Sequence, residues 1–115
     1  MDSSNNKYID SSNNKYITQS IFIYDLNDEL VDIKNIEKRE QELVKENIKE
    51  DDIVLELGAR YGSVSCIINS KLSNKNNQVS VEPDERVWNA LEKNKKINNC
   101  GFNIVKGFIG KKKWI

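Results

Sequence analysis

The residues best equipped for chemistry are Glu56, Gly58, Gly62 and Glu82. The first three lie in the run ELGARYG, Glu56–Gly62, which continues the apolar run IVLEL, Ile53–Leu57. A strand there would deliver the chain to the carboxyl edge of a sheet. Gly58 permits a tight turn with dihedrals that other residues avoid, and a second glycine lets backbone approach a ligand. A helix starting next offers amides that its own turns leave unpaired. Glu82 closes the next apolar run, Val79–Val81. A carboxylate at that edge can accept hydrogen bonds from both hydroxyls of a ribose. Ionised and partly dry, it needs such a partner. Together these residues describe a nucleotide-type site. The plainer alternatives are an ordinary strand-to-helix turn at Gly58 and Gly62, and a helix-start carboxylate at Glu82.

Other chemistries are excluded by what the chain lacks. It contains no histidine, so Ser-His-Asp and Cys-His mechanisms and His-ligated metals are absent. Its two cysteines, Cys66 and Cys100, match no zinc spacing and make no disulfide framework; they are expected as small buried or half-buried hydrophobes, with a reactive or paired thiol as the alternative. No metal site is expected. The pattern GxxxxGK[ST] of a P-loop is missing. A dinucleotide turn, G-x-G-x-x-G, would need glycine where Arg60 stands. Basic and acidic residues number 18 each, which leaves no global field to attract nucleic acid or an anionic membrane. No apolar run approaches the roughly 20 residues of a membrane span, and the amino-terminal segment is polar. A cytoplasmic setting is the expectation.

The elements that must position these residues follow from hydrophobic periodicity. Residues 1–19 contain a duplication, DSSNNKYI at Asp2–Ile9 and again at Asp10–Ile17, and their Ser/Asn content predicts a flexible tail. Residues 20–34 suggest a hairpin: Ser20–Tyr24 as one strand, Asp25–Glu29 as the turn, Leu30–Ile33 returning. Residues 35–115 form the main domain. A helix over Asn35–Glu50 places Ile36, Leu43, Val44 and Ile48 inward. Ile53–Leu57 is predicted as a strand buried on both faces. Ser63–Leu72 is the next helix, with Ser63 as its cap. Val79–Val81 is the second strand, ended by Pro83, with Asp84 capping a helix over Glu85–Asn98. Val87, Leu91 and Trp88 turn inward on that helix, and Gly101 supplies a left-handed end. Phe102–Lys106 is the third strand. Strand, helix, strand, helix, strand with right-handed crossovers makes a parallel α/β unit. The abundant Asn, Ile and Lys are read as codon bias, and surface Asn and Lys are discounted. The basic run Lys111–Lys113 is taken as a solvated end.

An acidic residue, one spacer and then GxxxG resembles the first motif of Rossmann-like methyltransferases. Residues from about 40 to 110 resemble the start of an FkbM-type methyltransferase domain, through LELGARYGSVS, VSVEPDERVWNALEKNKKINN and FNIVKGFIG. The resemblance implies an α/β fold: a partial Rossmann-like, class I methyltransferase parallel sheet with its first three strands and flanking helices. It implies S-adenosylmethionine as cofactor. Glu56, Gly58 and Ala59 would line the methionine end, and Gly62 would support the turn. Glu82 would bind ribose, Pro83 would touch one face of the adenine and Phe108 the other. Arg60 replaces a small polar residue, and its side chain would turn to the methionine carboxylate or to solvent. Lys106-Gly107-Phe108 replaces the common Asp that meets the adenine amine.

The family's strands four to seven carry its substrate pocket and catalytic base and lie outside this resemblance. No catalytic residue is carried over, and no methyl transfer is expected from the chain alone. The alternative function is a non-catalytic truncated remnant or interaction module that keeps the fold. A different nucleotide binder is the third option. Without a fourth strand, Ile53–Leu57 becomes an unprotected edge beside an uncovered apolar face. The partner expected is a second subunit or downstream polypeptide completing the sheet, unless the hairpin of residues 20–34 covers it.

Overall fold

The computed structural model describes residues 5–10, 15–108 and 110, with the stretches before Ser20 described through their backbone alone. Strand β1 (Asn5–Asp10) pairs antiparallel with β2 (Lys15–Ser20). Composition suggests a flexible tail, yet here the duplicated unit pairs with itself. Tyr8 lies opposite Ile17 and Ile9 opposite Tyr16, so the two Tyr-Ile dipeptides meet reciprocally. Tandem copies supply two strands of equal content. Residues 1–4 and 11–14 of that tail, like Lys111–Lys113, lie outside the described residues.

Helix α1 (Lys38–Asn47) is followed by β3 (Val54–Leu57), α2 (Ser63–Lys71), β4 (Gln78–Glu82), α3 (Trp88–Ile97) and β5 (Asn103–Lys106). A 3-10 turn, Glu85–Val87, leads into α3. The last three strands form one parallel sheet in the order β3-β4-β5. The chain is thus a small α/β domain with a three-stranded parallel sheet and flanking helices, an arrangement compatible with a Rossmann-like fold. Among the described residues no helix is long and apolar enough to cross a membrane.

The core lies between the sheet and the amino-terminal segment, around α2 and α3. Ile21, Ile23 and Ile33 join Ile67, Val87, Leu91 and Phe102 there. The segment Ile21–Tyr24 is held by the returning segment, through the bond from the Val31 amide to the Ile23 carbonyl at 2.8 Å, and by two side chains on α3 and its C-cap. Asn98 accepts from the Phe22 amide and donates to the Phe22 carbonyl, both at 2.9 Å. Asn94 does the same for Tyr24, at 2.9 and 2.8 Å, and also donates to the Tyr61 carbonyl at 2.8 Å. The match is geometric: four residues of helix rise ~6 Å and two of strand ~6.6 Å. Discounting surface asparagines as codon bias therefore missed Asn94, which is fully buried, and Asn98, which is half-buried.

Several local expectations are corrected. The hairpin of residues 20–34 shrinks to one bridge, Tyr24 with Leu30, around a turn in which Asp25 Oδ1 accepts from the amides of Asn27 and Glu29. It packs on α3, and no described strand pairs with the outer edge of β3. Leu43 is exposed, and α1 instead turns Gln41, Val44 and Ile48 inward. Gln41 donates to the carbonyls of Ile33 and Ile36, which the turn before α1 leaves unpaired. Ser63 does not cap α2. Gly62 occupies the cap at φ 94°, and the Ser63 hydroxyl donates to Glu37 Oε1 at 2.9 Å. Asn99, at φ 53°, takes the left-handed position after α3. Gly101 is needed for space: a Cβ there would come within 2.6 Å of Lys75 Cβ. β3 is not buried on both faces, since Ile53 is 84% exposed, Leu55 57% and Leu57 64%. Cys66 and Cys100 form a disulfide with Cα atoms 5.9 Å apart. It closes a loop of sequence separation 34. Such a closure is worth roughly 4 kcal/mol in the chain-entropy account. Spacing alone could not reveal this, because the fold brings α2 beside the loop before β5.

Candidate functional site

The parallel register aligns the ends of the three strands. Leu57 pairs with Val81, and Glu82 pairs with Lys106. The turns that follow, Gly58–Gly62, Pro83-Asp84 and Gly107-Phe108, therefore share one edge of the sheet. In open α/β sheets this carboxyl edge is where ligands bind.

The first turn is built from left-handed residues: Gly58 at φ 84°, Arg60 at 53° and Gly62 at 94°. The amides of Gly58 and Ala59 both donate to the Val81 carbonyl, at 2.8 and 3.0 Å, which staples the turn to β4. A Cβ on Gly58 would meet nothing within 4 Å, so the space before it is open. A Cβ on Gly62 would press on Leu91 Cδ1 at 2.9 Å, so that glycine serves the approach of α3. Ala59 is buried in the core, 1% exposed. Arg60 is exposed, with its guanidinium 5.0 Å from the Tyr61 ring centre.

Glu82 is the hub of the edge. Its Oε1 accepts from the Arg60 amide at 2.6 Å and its Oε2 from the Asp84 amide at 2.8 Å. Its carbonyl accepts from Gly107 at 3.0 Å and from the Trp88 indole at 2.7 Å. The carboxylate so joins the glycine turn to the start of α3, and two lone-pair directions stay for other donors. Asp84 caps the 3-10 turn through the Arg86 amide, and hydrogen bonds from Arg86 hold its carboxyl down at about 2. Pro83 and Phe108 are both exposed, Phe108 at 83%.

Glu56 sits one layer deeper. Its Oε1 accepts from Ser65 Oγ at 2.5 Å and Ser80 Oγ at 2.7 Å. Burial pushes its carboxyl above the usual range, the two serines pull it back, and the charges of Glu37 and Glu82 push it up again. A polar chain runs on from there. Gln78 donates to Ser80 Oγ and to the Ser65 carbonyl, and accepts from Asn69. Asn69 Oδ1 accepts from the Gly101 amide at 2.8 Å. Sequence reasoning missed Ser65, Asn69, Gln78 and Ser80. The signal was there in β4, where QVSVE alternates polar and apolar residues and so turns Gln78, Ser80 and Glu82 to one face.

The structure therefore gathers Gly58, Arg60, Glu82, Pro83 and Phe108 at one edge. It sets Glu56 beneath them, and Ala59 and Gly62 into the packing behind. Among the described residues no group of three or more acidic or cysteine side chains is arranged to hold a metal ion. No family model matches the chain, and no curated protein matches it.

At this edge Glu82, itself 5% exposed, keeps acceptor capacity beyond its two amide bonds, the space before Gly58 is open, and Pro83 and Phe108 are exposed.

Proposed function

We propose that the chain binds S-adenosylmethionine at the carboxyl edge of its sheet, as the donor-binding part of an FkbM-type methyltransferase-like protein. The observation that carries this reading is the direct bond between its two motifs: the Arg60 amide on the Glu82 carboxylate. That bond fixes the carboxylate beside an open glycine turn. Glu82 would accept from the ribose hydroxyls with its remaining lone pairs. Pro83 and Phe108 would flank the adenine, and the exposed Arg60 side chain would meet the methionine carboxylate. Glu56 would contribute negative potential from below, favouring the cationic methionine end. The cofactor supplies an activated methyl group on a sulfonium, and for such a displacement positioning is the protein's main contribution. No residue is assigned a catalytic role, and the acceptor is not named. The reading includes a cytoplasmic setting.

Calorimetry with S-adenosylmethionine, S-adenosylhomocysteine and NAD tests it. The first two should bind and NAD should not. Glu82→Gln keeps one acceptor oxygen but loses the charge, and should weaken binding by about 1–3 kcal/mol, the scale of hydrogen bonds to a charged group. Failure of the folded chain to bind either adenosyl compound removes the proposal.

A second reading has its own observation. Leu55, Leu57 and Val105 are exposed on the sheet face away from α2. Such a face suits an interaction module whose partner, a second subunit or a further polypeptide, completes the sheet.

A further inference from the structure

The Cys66–Cys100 disulfide joins two unlike positions. Cys66, on α2, is 1% exposed and packed in the core, whereas Cys100 is only partly buried. Cys100 also lines an open groove of about 510 Å³ together with Glu92, Lys95, Lys96 and Asn99. Glu92 in that groove is paired with Lys106 at 3.4 Å, which offsets its charge. Lys95, whose ammonium lies 5.7 Å from the Phe102 ring centre, and Lys96 then leave the groove beside Cys100 net positive. Two full positive charges exceed the roughly half charge at the carboxyl end of α3.

We propose that this disulfide is a thiol-exchange site, attacked at Cys100 Sγ by an anionic low-molecular-weight thiol seated on Lys95 and Lys96. Exchange proceeds by attack of a thiolate on one disulfide sulfur. The thiolate's electron pair forms a new S–S bond to Cys100. The Cys66–Cys100 bond breaks, and its electron pair goes to Cys66 Sγ, which takes up the proton the attacking thiol gave off. A second molecule of the thiol attacks the mixed disulfide, leaves as the oxidised dimer and returns Cys100 as a thiol. The chain gains two electrons and two protons, and two small thiols lose them. Only Cys100 offers an approach, so the mixed disulfide forms there. The inference does not depend on the donor-site reading.

Its structural reach follows from what the bridge joins. The Cys66 amide donates to the Gly62 carbonyl at 2.9 Å, closing the first turn of α2 on the glycine turn. Gly101, next to Cys100, is tied through Asn69, Gln78 and Ser80 to Glu56. Opening the bridge therefore leaves the polar chain as the one remaining tie among these between the loop before β5 and the site.

The test uses the full oxidised chain with three probes at matched thiolate concentration: reduced glutathione, which is anionic, neutral 2-mercaptoethanol and cationic cysteamine. Samples are quenched by acid and alkylation and mapped by peptide mass. The expected result is a glutathione adduct on Cys100 with Cys66 alkylated, and glutathione reacting faster than cysteamine. Lys95→Glu with Lys96→Glu should slow glutathione by about fivefold or more, the scale of a local charge effect on encounter, and leave 2-mercaptoethanol unchanged. An adduct on Cys66, or equal slowing of both thiols in the variant, overturns the proposal.

Discussion

The two faces of the three-stranded sheet are built on opposite rules. The face under α2 carries Glu56, Gln78, Ser80 and Glu82, all hydrogen-bonded. The other face carries Leu55, Leu57 and Val105 on the outer strands, each more than two-fifths exposed, with Val81 on the central strand between them buried at 2%. Covered polar and open apolar is the reverse of the usual arrangement. The covered face is stable because its polar atoms satisfy one another: among the described residues no buried side-chain nitrogen or oxygen lacks a partner. The open face shows that apolar sequence alone does not ensure burial. It needs an element to cover it, and none of the described helices lies there.

The sharpest way to break this contrast is Gln78→Ala. Gln78 is 1% exposed and makes three side-chain bonds, so its loss leaves a cavity and unpaired groups. Chemical denaturation should show a loss of about 3–5 kcal/mol. Asn94→Ala follows. It strips partners from the Tyr24 amide and from the Tyr24 and Tyr61 carbonyls. The expected cost is about 2–4 kcal/mol by the same measurement.

Glu56→Gln should act with the opposite sign. The folded protein holds the Glu56 proton more tightly than the unfolded chain, because burial raises its carboxyl. The cost of burying the charge is therefore full above the folded pKa and vanishes as pH falls to the ordinary carboxyl range. The variant should melt above the wild type at pH 7, and the two melting curves should converge as the buffer is acidified. A lower melting point at pH 7 would mean that the serine hydrogen bonds outweigh desolvation.

The smallest effect is expected on the open face. Leu55→Lys and Leu57→Lys should each change stability by no more than about 0.5 kcal/mol, as exposed substitutions do. They should reduce any self-association seen by light scattering. A large loss of stability would show that this face is covered in solution.

Much of this arrangement was legible in the sequence. The runs at Val54–Leu57 and Gln78–Glu82 are short and rich in Val and Leu. The glycines at 58 and 62 bracket a turn, and Pro83-Asp84 marks a boundary. These are local signals, and they placed Glu82 and the glycine turn at one edge. What escaped was non-local. Cys66 meets Cys100, Asn94 meets Tyr24 and Ser65 meets Glu56 only once the helices dock. Gln41 over Leu43 is a different lesson. A buried donor was required by two carbonyls, and that demand outranked hydrophobicity in setting the rotation of α1.

The attachment of Ile21–Tyr24 to α3 makes the chain mechanically anisotropic. Phe22 and Tyr24 are gripped by Asn98 and Asn94, two amides on one turn of helix. A pull on the amino end directed along α3 loads both grips in shear, and they share the force. A pull away from α3 loads Asn98 first and Asn94 second, so the segment peels like a zipper. Whatever draws on that end of the chain can detach it gently from one direction and not from the other.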